Sequence, residues 1–155
     1  MEIKSQAFAT NSPIPKKYSG EGQDISPDLA WSAGPAGTKE YALIVDDPDA
    51  PNGDWVHWLV YKIPAETTSL AEGYSGGGKK PEQKDILMGT TSARTTGYHG
   101  PMPPPRHGVH HYHFKIYALD APLDLQAGAT KPQLLAAMKG HILGQGELVG
   151  TYERK

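Results

Sequence analysis

The chain has 155 residues, with 15 Lys and Arg against 17 Asp and Glu, so its formal net charge is -2 at pH 7. This balance gives no long-range positive field that would attract nucleic acid or an anionic membrane surface. The length suits a single domain, residues 1–155, around one core. The absence of cysteine excludes a disulfide framework, a thiolate nucleophile and thiolate metal ligands.

The N-terminus and the apolar runs bear on where the protein acts. Residues 1–6 contain no basic stretch followed by an apolar one, and no run approaches the roughly 20 apolar residues of a membrane span. We therefore expect a soluble cytoplasmic protein without a transmembrane segment. The 18 glycines and 14 prolines cluster between apolar runs, which is typical of a β-rich protein with many loops.

Two apolar runs in the first half of the chain predict buried strands. Tyr41–Val45 is followed by Asp47-Pro48, and the proline favours an extended conformation at the residue before it. Val56–Ile63 is apolar on both alternating faces, which predicts a central strand covered on both sides. On this alternation, His57 shares its face with Leu59 and Ile63.

The segment His110–Leu119 gives the clearest strand prediction. One face carries the core-type residues Tyr112, Phe114, Ile116 and Ala118, and the opposite face carries His111, His113, Lys115 and Tyr117. His110 therefore points the same way as the core, whereas His111 points away from it.

The end of the chain predicts one more strand and one helix. Leu148–Tyr152 is the strand, and Lys131–Lys139 is the helix, with Pro132 at its start and Gly140 just beyond its end. Residues 73–105 have little periodicity and predict long loops that cover a site. Together these elements predict a mainly β fold with one or two short helices.

Two short motifs in one glycine-rich stretch match enzyme signatures by letters alone. Gly73–Lys79 matches a phosphate-binding loop, but Lys80 stands where Ser or Thr would hold magnesium, and Pro81 follows instead of a helix. Gly73–Gly77 matches a serine nucleophile elbow, but it lacks the strand before it and the helix after it. A flexible surface loop is the better interpretation.

A dense histidine cluster, formed by His107, His110, His111 and His113, raises the question of metal binding. His111 and His113 project from one strand face at a spacing that can chelate a metal. No Asp or Glu lies within the cluster to complete a typical set of ligands. We therefore predict no metal site and no cofactor.

Three carboxylates, Asp46, Asp47 and Asp49, lie within four positions. Turn formation alone could account for them, because Asp and Pro are favoured in tight turns. Their position at the end of a buried strand favours a functional role.

Four segments, taken in order, resemble motifs of the phosphatidylethanolamine-binding protein family. They are Asp47–Pro51, Trp55–Val60, Gly97–Pro105 and His110–Phe114. Residues 8–31 are similar to the family's N-terminal pattern. Residues 117–120, 140–143 and 147–152 are similar to its bacterial and archaeal, Raf-kinase-inhibitor-like branch. The resemblance covers nearly the whole chain.

This resemblance implies a β-sandwich with a small pocket at one end, which in family members binds phosphate-like and carboxylate anions. It also implies a protein partner, since some members are described as inhibitors of kinases or proteases. A second subunit could cover the pocket, so a homodimer is a further expectation. The implied pocket residues are Asp47, His57, Gly100, Pro101, His110 and Tyr112, with Asp49, Pro51 and Trp55 beside them.

The chemistry of these residues independently suits a small anion such as a phosphoester. Asp47 close to His57 or His110 would favour the imidazolium form, and the Tyr112 hydroxyl adds a neutral donor. Backbone N–H groups near Gly100 could contribute to an anion-binding concavity. Ala50-Pro51 is a candidate cis peptide.

Two other classes of function stay open. A hydrolase could use His57 or His110 as a general base oriented by Asp47, although the sequence offers no convincing nucleophile or metal. An inhibitor could contact a kinase or protease through exposed loops such as Gly73–Pro81. The residues favour binding over catalysis.

Overall fold

The computed structural model describes residues 1–76 and 85–155. The predictions made for Gly73–Lys79, and the proposed contact loop Gly73–Pro81, extend outside these residues. The strands are β1 (Ile3–Lys4), β2 (Ser12–Pro13), β3 (Leu29–Trp31), β4 (Glu40–Asp47), β5 (Trp55–Pro64), β6 (Ser69–Leu70), β7 (Leu87–Met88), β8 (His110–Leu119) and β9 (Ile142–Tyr152), and the helix is α1 (Lys131–Met138).

The strands form two sheets, as the predicted β-sandwich requires. The larger sheet has six strands in the order β2-β9-β8-β4-β5-β7, and the smaller has three in the order β1-β3-β6. All pairings are antiparallel except β2 with β9. The prediction of a mainly β sandwich is confirmed.

Each face of the larger sheet has its own core, because β4 and β5 are apolar on both faces. On the sandwich side, Leu43 and Val45 of β4 share a core with Leu29 and Trp31 of the smaller sheet. On the other side, a second core includes these residues of the sheet and of α1: Ala42, Ile44, Leu59, Tyr61, Leu134 and Met138.

Helix α1 begins with a capping box. The Thr130 side chain accepts a hydrogen bond from the Gln133 backbone N–H, and the Gln133 side chain accepts one from the Thr130 backbone N–H. Leu134 and Met138, four residues apart, are buried on one side of the helix. Within the described ranges, no helix has the length and apolar character needed to cross a bilayer.

A β-bulge interrupts β5 at His57. Val45 of β4 pairs with Trp58 and the next residue, Asp46, pairs with Val56, so His57 is an extra residue without a partner on β4. Such a bulge changes which face the residues on either side occupy.

This bulge, with a second irregularity at Lys62, overturns the predicted face of His57. Lys62 has a positive φ of 57°. Leu59 packs in the core on the helix side, whereas Ile63 packs in the core on the sandwich side. The prediction that both share a face with His57 was wrong, because strict alternation does not hold across a bulge. The His57 ring lies edge-on to Tyr112, at 5.1 Å between centroids.

The observed element boundaries follow the predictions most closely where the strand is regular. β8 has the predicted bounds, and α1 ends at Met138, one residue earlier than predicted. β9 begins at Ile142, six residues before the predicted Leu148. The peptide between Ala50 and Pro51, whose isomer the sequence leaves open, is trans.

Candidate functional site

A cavity of about 370 Å³ opens at the end of the sandwich where β4 ends and where β5 and β8 begin. Seven of the nine predicted residues line it. They are Asp47, Pro51, Trp55, His57, Gly100, His110 and Tyr112. The other residues of the wall are not among the nine. Ala50, His99, Met102, Pro103 and Pro104 belong to the segments Asp47–Pro51 and Gly97–Pro105, whereas Asn52, Gly53 and Asp54 lie outside the segments that the sequence singled out.

Strand pairing brings Asp47 and His110 together. Asp47 is the last residue of β4 and His110 is the first of the antiparallel neighbour β8. Asp47 Oδ2 lies 2.6 Å from His110 Nδ1, and the two side chains are only 4% and 2% exposed. A carboxylate accepts hydrogen bonds, so Nδ1 of His110 carries the proton. His110 can therefore offer only Nε2 to another group.

That second nitrogen also has a partner. His110 Nε2 lies 2.6 Å from Nδ1 of His107, an exposed residue in the loop before β8. The two rings are 4.8 Å apart between centroids and tilted by 58°. His107 belongs to the histidine cluster noted in the sequence, but no pattern in the sequence predicts this contact.

His57 is held by the backbone of His99. The His57 Nδ1–H donates to the His99 carbonyl at 2.7 Å, and the His99 N–H donates to the His57 carbonyl at 2.9 Å. The carbonyl can only accept, so Nε2 of His57 is the nitrogen left for a ligand.

The charge state of His57 differs from the expectation. Burial lowers the pKa of His57 and outweighs the opposing effects of the His99 carbonyl and Asp47. The expected imidazolium form is therefore not favoured at His57. The residue is only 6% exposed, and the carboxylate of Asp47 is bonded to His110.

Tyr112 adds a neutral donor. Burial raises the pKa of Tyr112 far above its usual value, and the carboxylates of Asp47 and Asp49 raise it further. The phenol therefore keeps its proton throughout the physiological range. It lies two residues after His110 on β8, on the same face of the sheet.

Asp49 and Pro101, predicted as site residues, do not line the cavity. Asp49 accepts hydrogen bonds from the backbone N–H of His111 at 2.9 Å and from its ring Nδ1 at 2.8 Å. Burial acts to raise the pKa of Asp49, but these bonds outweigh it and hold the pKa below its usual value. The buried Pro101 accepts a hydrogen bond from the Gly20 N–H through its carbonyl.

Of the backbone N–H groups near Gly100 that could bind an anion, that of Gly100 itself is occupied. The Gly100 N–H donates to Asp24 Oδ1 at 2.7 Å and is not free for a ligand. A Cβ at this position would lie 2.1 Å from the Tyr18 carbonyl oxygen. Glycine is therefore required because the loop packs against residues 18 and 19.

The outward-facing histidines each pair with a different carboxylate. His111 binds Asp49, and His113 Nδ1 lies 2.9 Å from Glu147 Oε1. In residues 1–76 and 85–155, no group of three or more His, Asp or Glu side chains is arranged to hold a metal.

The remaining wall of the cavity is largely apolar. Trp55 and Met102 are 41% and 49% exposed at its mouth, next to Pro103 and Pro104. The cavity thus combines polar groups at its base with an apolar rim, an arrangement that can orient a ligand with one polar and one apolar end.

The comparison with known families agrees with the resemblance. The family model described as phosphatidylethanolamine-binding protein matches residues 4–153. The chain belongs to this family. A relative from Methanothermobacter thermautotrophicus, named only as a UPF0098 protein, is 44% identical over 154 residues, or 99% of each chain.

Other relatives extend this family assignment. The crystal structure of CT736 from Chlamydia trachomatis, described as a homologue of phosphatidylethanolamine-binding protein, has a TM-score of 0.88 and 43% identity, covering 99% of this chain and 97% of that one. A protein of Mycobacterium tuberculosis, named as a candidate lipoprotein, is 42% identical over 155 residues, covering 99% of this chain and 72% of that protein.

Proposed function

We propose that the protein binds a small anion, a phosphoester or a carboxylate, in the cavity at the end of the sandwich. The observation that carries this proposal is the convergence of His57, His110 and Tyr112 on one cavity, with Asp47 bonded to His110 at 2.6 Å. An imidazolium at His110 would be stabilised by the buried carboxylate and could hold a phosphate oxygen by a charge-assisted hydrogen bond.

Two further features support an ester over a bare ion. The cavity, at about 370 Å³, exceeds the space that one phosphate group needs. Its mouth presents the apolar side chains of Trp55 and Met102, which suit the substituent of a phosphoester. In the proposed complex, the anionic group lies at the base and the substituent lies against the rim.

We extend the proposal to a protein-bound ligand. The same pocket would take a phosphorylated or carboxylated side chain, and in this way the protein would regulate a kinase or protease partner. We also propose that residues 1–155 fold as one domain and act in the cytoplasm. Cell fractionation tests this location, and recovery of the chain with membranes would contradict it.

A hydrolase is the second candidate, because a buried carboxylate-imidazole pair also suits acid-base catalysis. The residues that line the cavity include no Ser, Thr, Cys or Lys that could act as a nucleophile. Release of inorganic phosphate from phosphoesters, lost on His110→Ala, would favour this candidate over binding alone.

The test is a fluorescence titration with phosphate and with O-phosphorylethanolamine. Trp55 lines the cavity and Trp58 follows His57, so occupancy should change the emission. We expect saturable binding that is stronger near pH 6 than near pH 8, because histidine gains its positive charge in this range. His110→Ala should weaken binding by at least about tenfold, through loss of a charge-assisted bond.

The matched control is His141→Ala. His141 is likewise bonded to a carboxylate, with Nδ1 at 2.8 Å from Asp120 Oδ1, but unlike His110 it is exposed and does not line the cavity. Its removal should leave the affinity unchanged. Equal affinity in wild type and His110→Ala would refute the pocket as the binding site.

A further inference from the structure

We propose that His107 is an internal ligand of the pocket, which occupies the one nitrogen of His110 that an anion requires and is displaced when the anion binds. This inference rests on the proposed function, since it concerns the same site. It assigns a role in affinity to a residue that lies outside the cavity wall.

Each ring nitrogen of His110 has a different partner. Asp47 accepts from Nδ1, so that nitrogen is committed to the carboxylate. Nε2 is the remaining position from which His110 can donate to a ligand. His107 Nδ1 lies 2.6 Å from it, which is direct hydrogen-bond contact and leaves no room for a ligand atom between the two nitrogens.

The contact with His107 determines whether His110 can donate a proton from Nε2 to an anion. When both rings are neutral, His107 donates its Nδ1–H and His110 Nε2 accepts, so His110 presents no proton to an anion. When His110 is an imidazolium, its Nε2–H points at the lone pair of His107. In either case an anion that bonds to Nε2 must replace His107.

The His107 side chain can rotate away from His110 with little loss of free energy. His107 is exposed, so rotation into solvent uncovers little apolar surface. Its neighbour Gly108 has a positive φ of 95°, and no atom lies within 4 Å of where a Cβ would be. The preceding residue is anchored, since the Arg106 N–H donates to the Arg154 carbonyl at 3.0 Å. The His107 N–H also donates to the Pro104 carbonyl at 3.2 Å, so the displacement is a rotation of the His107 side chain.

Two charged groups near this loop, Arg154 and Asp49, have their own partners. Arg154 lies 3.7 Å from Glu21 and donates to the Pro103 carbonyl, and the carboxylate of Asp49 is bonded to His111. Within the described residues, the polar contact of the His107 ring is with His110. Exchange at His107 therefore alters the anion site without breaking these ion pairs.

The test compares the affinity for inorganic phosphate of wild type, His107→Ala and His107→Asn. Removal of an internal competitor should tighten binding, by about threefold to tenfold for the loss of one neutral hydrogen bond. Asn places an amide near the position of the imidazole Nδ1, so His107→Asn should restore an affinity close to wild type. His141→Ala is the control that removes an exposed histidine without effect.

NMR chemical shifts of the imidazole nitrogens give a second measurement. They would not respond to phosphate in this way if His107 had only a structural role. Phosphate should shift the His107 ring nitrogens of the wild type toward the values they show in His110→Ala, because both changes release His107. Unchanged or weaker binding by His107→Ala, with phosphate still bound by wild type, would overturn the inference and leave the proposed function intact. Binding by neither protein would overturn both.

Discussion

Asp46 and Asp47 are neighbours at the end of β4, and both are buried, yet they have different partners. Asp46 Oδ2 lies 2.7 Å from Lys131 Nζ at the start of α1, and its Oδ1 lies 3.3 Å from Lys115 Nζ. Asp47 faces the cavity on the opposite side and bonds to His110. Adjacent residues of a strand point to opposite faces, so one dipeptide supplies a carboxylate to each side of the sheet.

The partner of each buried carboxylate decides what that carboxylate can do. Burial acts to lower the pKa of Lys131, but Asp46 and Asp54 outweigh it and raise the pKa above its usual value. That cation is permanent under physiological conditions, so Asp46 joins helix to sheet at every relevant pH. His110 has a second ring nitrogen, so it can bond to Asp47 through Nδ1 and still face the cavity with Nε2.

The largest expected effect is on stability, from Asp46→Asn. The change leaves Lys115 without its carboxylate and Lys131 with Asp54 alone. Loss of one partner from a buried ion pair should lower the free energy of unfolding by about 3 kcal/mol. Urea denaturation followed by circular dichroism measures it.

Asp54→Asn is the matched control, since it removes the more exposed partner of the same lysine, with Asp54 36% exposed. It should cost under about 1 kcal/mol, as exposed ion pairs do. Equal losses in the two variants would show that Asp46 has no special structural role.

The next effect is on binding, from Asp47→Asn. Asparagine can still accept from His110 Nδ1–H but cannot stabilise the imidazolium by its charge. We expect the affinity for phosphate to fall by at least about tenfold, while unfolding loses only about 1 kcal/mol. Calorimetry at pH 6 and thermal denaturation measure the two quantities. Undiminished affinity would remove Asp47 from the binding mechanism.

The smallest effect is a pH dependence of stability due to His57. Its pKa is lowered in the folded protein, mainly by burial, so below about pH 6.5 the unfolded chain takes up a proton that the folded protein does not. The free energy of unfolding should therefore fall as the pH drops below this value, by at most about 1.4 kcal/mol per pH unit.

His57→Gln isolates this contribution. The difference in unfolding free energy between wild type and His57→Gln should grow more favourable to the wild type as the pH rises from about 5 to about 7. Above that range the difference should be constant, because both states then hold a neutral imidazole. A difference that does not vary with pH would mean that His57 has the same pKa in both states.

The sequence predicted those parts of the fold in which alternation is regular. β8 pairs with β4 on one side and β9 on the other, with its first register shift after Ala118, so a period of two gave its bounds correctly. β5 contains two irregularities, at His57 and Lys62, and there the same period assigned faces wrongly. The sequence carries no local signal for an extra residue that the partner strand leaves unpaired.

Other parts of the prediction failed because the decisive contacts join distant residues. The last strand was predicted to begin at Leu148, yet β9 begins at Ile142, because Ile116 and Ala118 of β8 pair with Gly146 and Gly144. Gly100 lines the cavity, but its N–H is bound by Asp24, 76 positions earlier, and does not face a ligand. The sequence could predict seven cavity residues and a contact of Asp47 with one of two histidines, whereas the contacts of His107 with His110 and of His99 with His57 could not be predicted.

During synthesis, β9 is made after both of the strands that it lies between. β9 lies inside the larger sheet, between β8 and β2, and its residue Tyr152 pairs with His110 while Gly150 pairs with Ser12 near the start of the chain. A ribosome therefore exposes β2 and the long edge of β8 before their common neighbour exists. A nascent chain that lacks β9 exposes the unpaired backbone N–H and C=O groups of β8. These groups can pair with strands of other chains until β9 has been synthesised.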